Sequence, residues 1–118
     1  MRKIEVTIAI DTLAPNVISA FTDPVMLREW WQVERTLIEK KVGGIYTLAW
    51  NISEKGFGFV SSGVIKEYRP ESLLVIRNFV YMNPEKELLG PMTLTVRVTQ
   101  TGTSSSVYIC QDGYQHGT

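Results

Sequence analysis

The stretch Ala20-Phe21-Thr22-Asp23-Pro24-Val25-Met26-Leu27-Arg28-Glu29-Trp30-Trp31 decides how the chain is read, and it carries two of the three tryptophans. Asp23 can cap a helix with its carboxylate. Pro24 can open one, because its φ is preset and its missing N–H would have no helical partner there anyway. Leu27, Trp30 and Trp31 stand at i, i+3 and i+4 and share a face. Upstream, Pro15 suits a first helical position behind Ala14, a poor cap, and Val17, Ala20 and Phe21 keep helical spacing. The reading is two short helices hinged at Asp23-Pro24. Helices this short do not persist alone in water, so both need a surface to lie on.

The rest of the chain supplies one. Ile4, Val6, Ile8 and Ile10 alternate with polar residues and predict a half-buried strand over residues 2–11. After the helices the pattern stays β. Thr36-Leu37-Ile38-Glu39 is a short strand, Val42-Gly43-Gly44 a turn, and Ile45 to Asn51 a strand with Tyr46, Leu48 and Trp50 on one face. Asn51 to Gly56 reads as a polar turn. A longer strand runs from Phe57 towards Tyr68, with Gly58 and Gly63 marking bends or bulges. Arg69 to Ser72 is a turn, and the apolar run Leu73 to Tyr81 a central strand. Met82 to Pro91, with Asn83-Pro84 and Gly90-Pro91, reads as a long loop. Thr93 to Thr101 puts Leu94, Val96 and Val98 on one face, Thr101 to Ser104 is a hairpin turn, and Ser106 to Gln111 closes the set. No helical pattern separates these strands, so neighbours should pair antiparallel. The fold class is α+β, a curved antiparallel sheet with two short helices between strands 1 and 2.

Bulk properties narrow the function. The 118 residues make one domain, 1–118, able to hold a core without staples. Twelve basic and twelve acidic residues cancel, and no basic stripe marks a nucleic-acid surface. The single cysteine, Cys110, allows no internal disulfide and fits a reducing compartment. Glu5 and Asp11 break any signal-peptide core, and no apolar run reaches membrane-spanning length, so a cytoplasmic location is expected. Metal and nucleophile chemistry finds little support. Cys110 with the lone His116 falls short of a zinc set, and Cys110 in an apolar strand reads as a small core residue. Glu67 and Glu71, like Glu85 and Glu87, read as solvated surface. No catalytic residue, metal ligand or cofactor is assigned.

The ordered blocks AFTDPVMLREWW, KVGGIYTLAW, GFGFVSSGVIKEYRPESLLV and LGPMTLTVRVTQTGTSSSVYICQDGY resemble the family of activator of heat-shock-protein-90 ATPase homologues. That family lies within the superfamily of START-type lipid-transfer domains, polyketide cyclases and birch-pollen-allergen-like proteins. The resemblance implies a helix-grip fold, in which a curved sheet wraps a long C-terminal helix around a cavity closed at one end by the two short helices. Here the chain reaches Thr118 where that helix should begin. The long helix is therefore expected to be missing from this stretch: either a further C-terminal segment covers the open sheet face or, if the chain is intact at 118 residues, a second copy of the chain is expected there.

Aromatic residues are the one feature above background. Aromatics dominate ordinary cores, yet the implied fold brings several around one concavity. The candidate ligand-binding residues are Trp30, Trp31, Trp50, Phe59, Arg77 and Tyr81. Arg77 interrupts the apolar run of its strand and is either exposed or a ligand or carboxylate partner. The expected function is binding of a hydrophobic small molecule. The resemblance implies two alternatives, a co-chaperone-like domain that stimulates a chaperone ATPase and, lower in rank, an enzyme of the cyclase or hydrolase type.

Overall fold

The computed structural model describes residues 2–50, 58–82 and 89–114. Strand β1 (Arg2–Ile10) leads into helices α1 (Ala14–Thr22) and α2 (Pro24–Trp31). Six strands follow: β2 (Arg35–Ile38), β3 (Ile45–Trp50), β4 (Phe59–Arg69), β5 (Leu73–Met82), β6 (Leu89–Thr101) and β7 (Ser104–Tyr114). They form one antiparallel sheet in the order β1-β7-β6-β5-β4-β3-β2, with β5 at its centre. The sheet is curved and unclosed, and both helices lie on its concave face. This is the helix-grip α+β architecture, and among the described residues no helix follows β7.

Several register shifts interrupt the ladders, and bulges of this kind bend a sheet; two of them decide which side chains face the core. On β5, Ile76 pairs with Leu94 and Phe79 with Met92, so three steps on β5 match two on β6. Asn78 takes a left-handed φ of 52° at this point. The extra residue turns Arg77 and Asn78 outward together and returns Phe79 to the interior. This explains why two polar residues interrupt an otherwise apolar strand. On β4, Ile65 pairs with Ile76 and Glu67 with Val75, which turns Lys66 and Glu67 outward and brings Tyr68 back to the core. Gly63 faces the β5 bulge. A Cβ there would stand 2.6 Å from Ile76 Cγ2 and 3.0 Å from the Arg77 carbonyl oxygen.

The core lies between the helices and the middle of the sheet. Val17, Ile18 and Leu27 pack on Tyr46, Leu48, Ile65, Ile76, Phe79 and Val96, and all are buried. Burial costs Tyr46 no hydrogen bond, because its hydroxyl donates to the Phe21 carbonyl at 2.5 Å. That burial, with the nearby Tyr81, pushes the Tyr46 hydroxyl well above the usual phenol range. Cys110 is a buried free thiol.

Several expectations need correction. The segment Leu89 to Pro91 is strand, not loop. Proline lacks the N–H that a ladder uses, but Pro91 lies where the β5–β6 register shifts, so the ladder is already broken there. Gly90, at φ 116°, approaches the Phe79 carbonyl too closely for any side chain. The last strand is longer than read from alternation, Ser104–Tyr114. The turn at Asn51 to Gly56 and the loop segment around Glu85 and Glu87 lie outside the described residues, as does His116.

Candidate binding recess

The site grows from the hinge at Asp23. This residue ends α1, where its N–H donates to the Ser19 carbonyl at 2.7 Å. It also begins α2, where its Oδ1 accepts from the Val25 N–H at 2.8 Å. One residue thus satisfies groups at both helix ends, and Pro24 fixes the direction of the turn. Gln32 stops α2 in a left-handed conformation, φ 59°, with its N–H on the Arg28 carbonyl at 3.1 Å.

The hinge sets the aromatic residues in a row. Phe21 meets Trp30 edge to face at 5.3 Å between centroids. Trp30 stacks on Trp31 at 5.0 Å. Trp31 meets Trp50 of β3 edge to face at 5.2 Å. Two indole N–H groups anchor the row: Trp30 donates to the Ala20 carbonyl at 2.6 Å, and Trp50 to the Trp31 carbonyl at 3.0 Å. The shared face expected for Leu27, Trp30 and Trp31 is therefore graded. Leu27 is fully buried, Trp31 half-buried, and Trp30 49% exposed. Trp30 is a rim residue: the rings of Phe21 and Trp31 pack against it, and beneath it lies a hollow and not packed side chains.

Beneath this row lies a recess of about 660 Å³. Ile8 and Ile10 of β1 form its open edge, Leu94, Val107 and Ile109 its floor, and Met26, Trp30 and Trp31 its roof. Thr12, Asn16 and Gln111 bring the polar groups, with Asn16 Nδ2 donating to Thr12 Oγ1 at 3.1 Å. No charged side chain among the described residues lines it. A smaller recess of about 360 Å³ lies beyond Trp31 and Tyr81, which line both, and is completed by Gln32, Trp50 and Phe59. Both volumes fall in the range of small-molecule sites.

Of the candidate residues, Trp30, Trp31 and Tyr81 stand at the larger recess, and Trp31, Trp50, Phe59 and Tyr81 at the smaller. Arg77 lies apart from both, exposed on the β5 bulge. Sequence reasoning missed the aliphatic share of the lining. The signal was present in the alternation of Ile8, Ile10, Val107 and Ile109, but alternation does not tell a cavity wall from a packed core. Among the described residues no group of three or more His, Cys, Asp or Glu side chains is placed to hold a metal.

Fold and recess together define a helix-grip protein with an apolar hollow under its short helices. Over residues 12–118 the chain matches the family described as activator of Hsp90 ATPase homolog 1-like protein, and it belongs to that family. Among solved structures it is similar to PFC0360w, an HSP90 activator from Plasmodium falciparum. The TM-score is 0.70 at 16% identity, over 98% of this chain and 75% of that one. It is also similar to CV1439 from Chromobacterium violaceum, with a TM-score of 0.74 at 20% identity over 96% and 80%. Mll3558 from Rhizobium loti gives a TM-score of 0.77 at 15% identity over 99% and 82%. At these identities the likeness is one of fold. No curated protein matches the chain.

Proposed function

We propose that the protein binds a hydrophobic small molecule in the larger recess, without catalysing a reaction. The observation that carries this reading is a hollow of about 660 Å³, apolar over most of its wall and roofed by Trp30 and Trp31. Every tryptophan of the chain borders one of the two recesses, so intrinsic fluorescence reports on both. Titration with a panel of lipids, flavonoids and polyketides is expected to give saturable quenching by at least one class. A flat response across the panel overturns the reading. The single, buried Cys110 is consistent with a cytoplasmic setting. No helix among the described residues is long and apolar enough to cross a membrane.

Family membership favours a second reading, stimulation of a chaperone ATPase through a protein contact. Unchanged ATP turnover by a cognate Hsp90-type chaperone, with this protein in excess, removes it. The exposed row Val6, Ile8 and Ile10 extends the concave face past the helices. We assign a second copy of the chain to cover it, and a monomeric mass in light scattering dismisses that assignment.

A further inference from the structure

The buried polar side chains of the described residues are Thr22, Ser61 and Ser105. Thr22 donates to the Ile18 carbonyl at 3.1 Å and Ser105 to the Thr12 carbonyl at 2.8 Å. Ser61 is fully buried and its Oγ has no hydrogen-bond partner. A buried hydroxyl without a partner is costly, and alanine at the same place would avoid the cost. Its position shows what it is near. Ser61 faces the concave side of β4 between Phe59 and Gly63, paired with Leu48 on β3 and Tyr81 on β5. Tyr81 borders both recesses and Phe59 the smaller one. The unpartnered hydroxyl therefore sits beside the partition between the two hollows.

We propose that Ser61 is the polar anchor of the binding site, donating its hydroxyl proton to a carbonyl-type acceptor on a flat, uncharged ring compound that spans both recesses. This rests on the reading of the recess as a small-molecule site. Neutrality follows from the lining, because neither recess presents a charged side chain among the described residues to meet an ionised group. Flatness follows from the rings of Trp30, Trp31, Trp50 and Tyr81, whose faces and edges form the walls. Ser61 lines neither hollow as the structure stands, so binding of this kind requires the Tyr81 ring to turn aside, which would join the two hollows and uncover the hydroxyl.

Fluorene and 9-fluorenone, which differ by one ketone oxygen, test this with amide chemical shifts of the labelled protein as the readout. The wild type is expected to bind fluorenone about tenfold more tightly than fluorene, the scale of one hydrogen bond to a group otherwise left unpaired. Ser61→Ala, which removes an unsatisfied group, should fold with an equal or higher Tm and bind both compounds at the fluorene level. Independently of any variant, the carbonyl stretch of fluorenone bound to wild type should lie below its frequency in hydrocarbon solvent. Equal affinity for the two compounds, or a fluorenone preference that survives Ser61→Ala, overturns the anchor and leaves the recess reading standing. The same holds for an unshifted carbonyl stretch. Absence of any shift with either compound at saturation overturns both.

Discussion

Two halves of one sheet carry the same alternating pattern and meet different fates. On β3, β4 and β5, the inward residues Tyr46, Leu48, Ile65, Ile76 and Phe79 are sealed from solvent. On β1, the equally apolar and equally alternating Val6, Ile8 and Ile10 remain 47%, 43% and 39% exposed. The strands do not differ in propensity. They differ in what lies above them, because α1 and α2 pack over the middle of the sheet and stop short of β1. Alternation reports which face is apolar. Whether that face becomes core or cavity wall depends on the reach of the elements covering it.

The sharpest test of this contrast is Phe79→Ala. It removes a fully buried ring and should cost about 3–5 kcal/mol in urea unfolding. Gly63→Ala should follow at about 1–3 kcal/mol, because the new methyl overlaps Ile76 and the Arg77 carbonyl across the bulge. A neutral outcome would mean that the bulge yields and is not a fixed source of curvature. Trp30→Ala probes the boundary between the halves. With half its surface in solvent, it should cost about 1–2 kcal/mol, below the ~3–5 kcal/mol of a core aromatic.

Alkaline pH tests the closed half in the wild-type protein, with one substitution there as the control. Tyr46 is held neutral by burial, so its folded-state pKa lies above the unfolded value of 10.0. Its contribution is complete below pH 10 and is lost as pH rises further, at up to about 1.4 kcal/mol per pH unit. The Tyr46→Phe protein, measured across the same range, should show a shallower decline. Smallest is Ile8→Ala on the open edge, expected to cost under ~1 kcal/mol while weakening ligand binding. If it destabilises as much as Phe79→Ala, the two halves are energetically one and the contrast fails.

Much of this was legible from residue order. Asp23-Pro24 marked the hinge because capping chemistry is local, and Leu73 to Tyr81 marked the centre because a nearly continuous apolar run suits a strand with neighbours on both edges. The family resemblance was legible for the same reason, since the ordered blocks keep these local signals. What escaped was set by distant partners. Gly90-Pro91 carries the composition of a turn, and only pairing of Tyr81 with Leu89 makes it strand. Arg77 was a candidate for the site because it broke an apolar run; a one-residue bulge, which leaves little trace in composition, carries it to the outside. Trp30 and Trp31 are identical neighbours in sequence. Their difference in exposure depends on distant partners: Trp31 packs against Trp50 of β3, whereas Trp30 meets Phe21 and Trp31 of the helices.

The pairing of β1 with β7 has a consequence for how the molecule is made. The Tyr108 hydroxyl donates to the Glu5 carboxylate across this pair, and the two residues are 103 positions apart in the chain. At ribosomal rates of about 5–20 residues per second, β1 waits on the order of 5–20 s for β7, its one neighbour among the described strands, to be synthesised. Through that interval Val6, Ile8 and Ile10 have no strand beside them, and the meander from β2 to β7 can assemble hairpin by hairpin without them. The edge that stays open in the finished protein is thus also the last to be zipped.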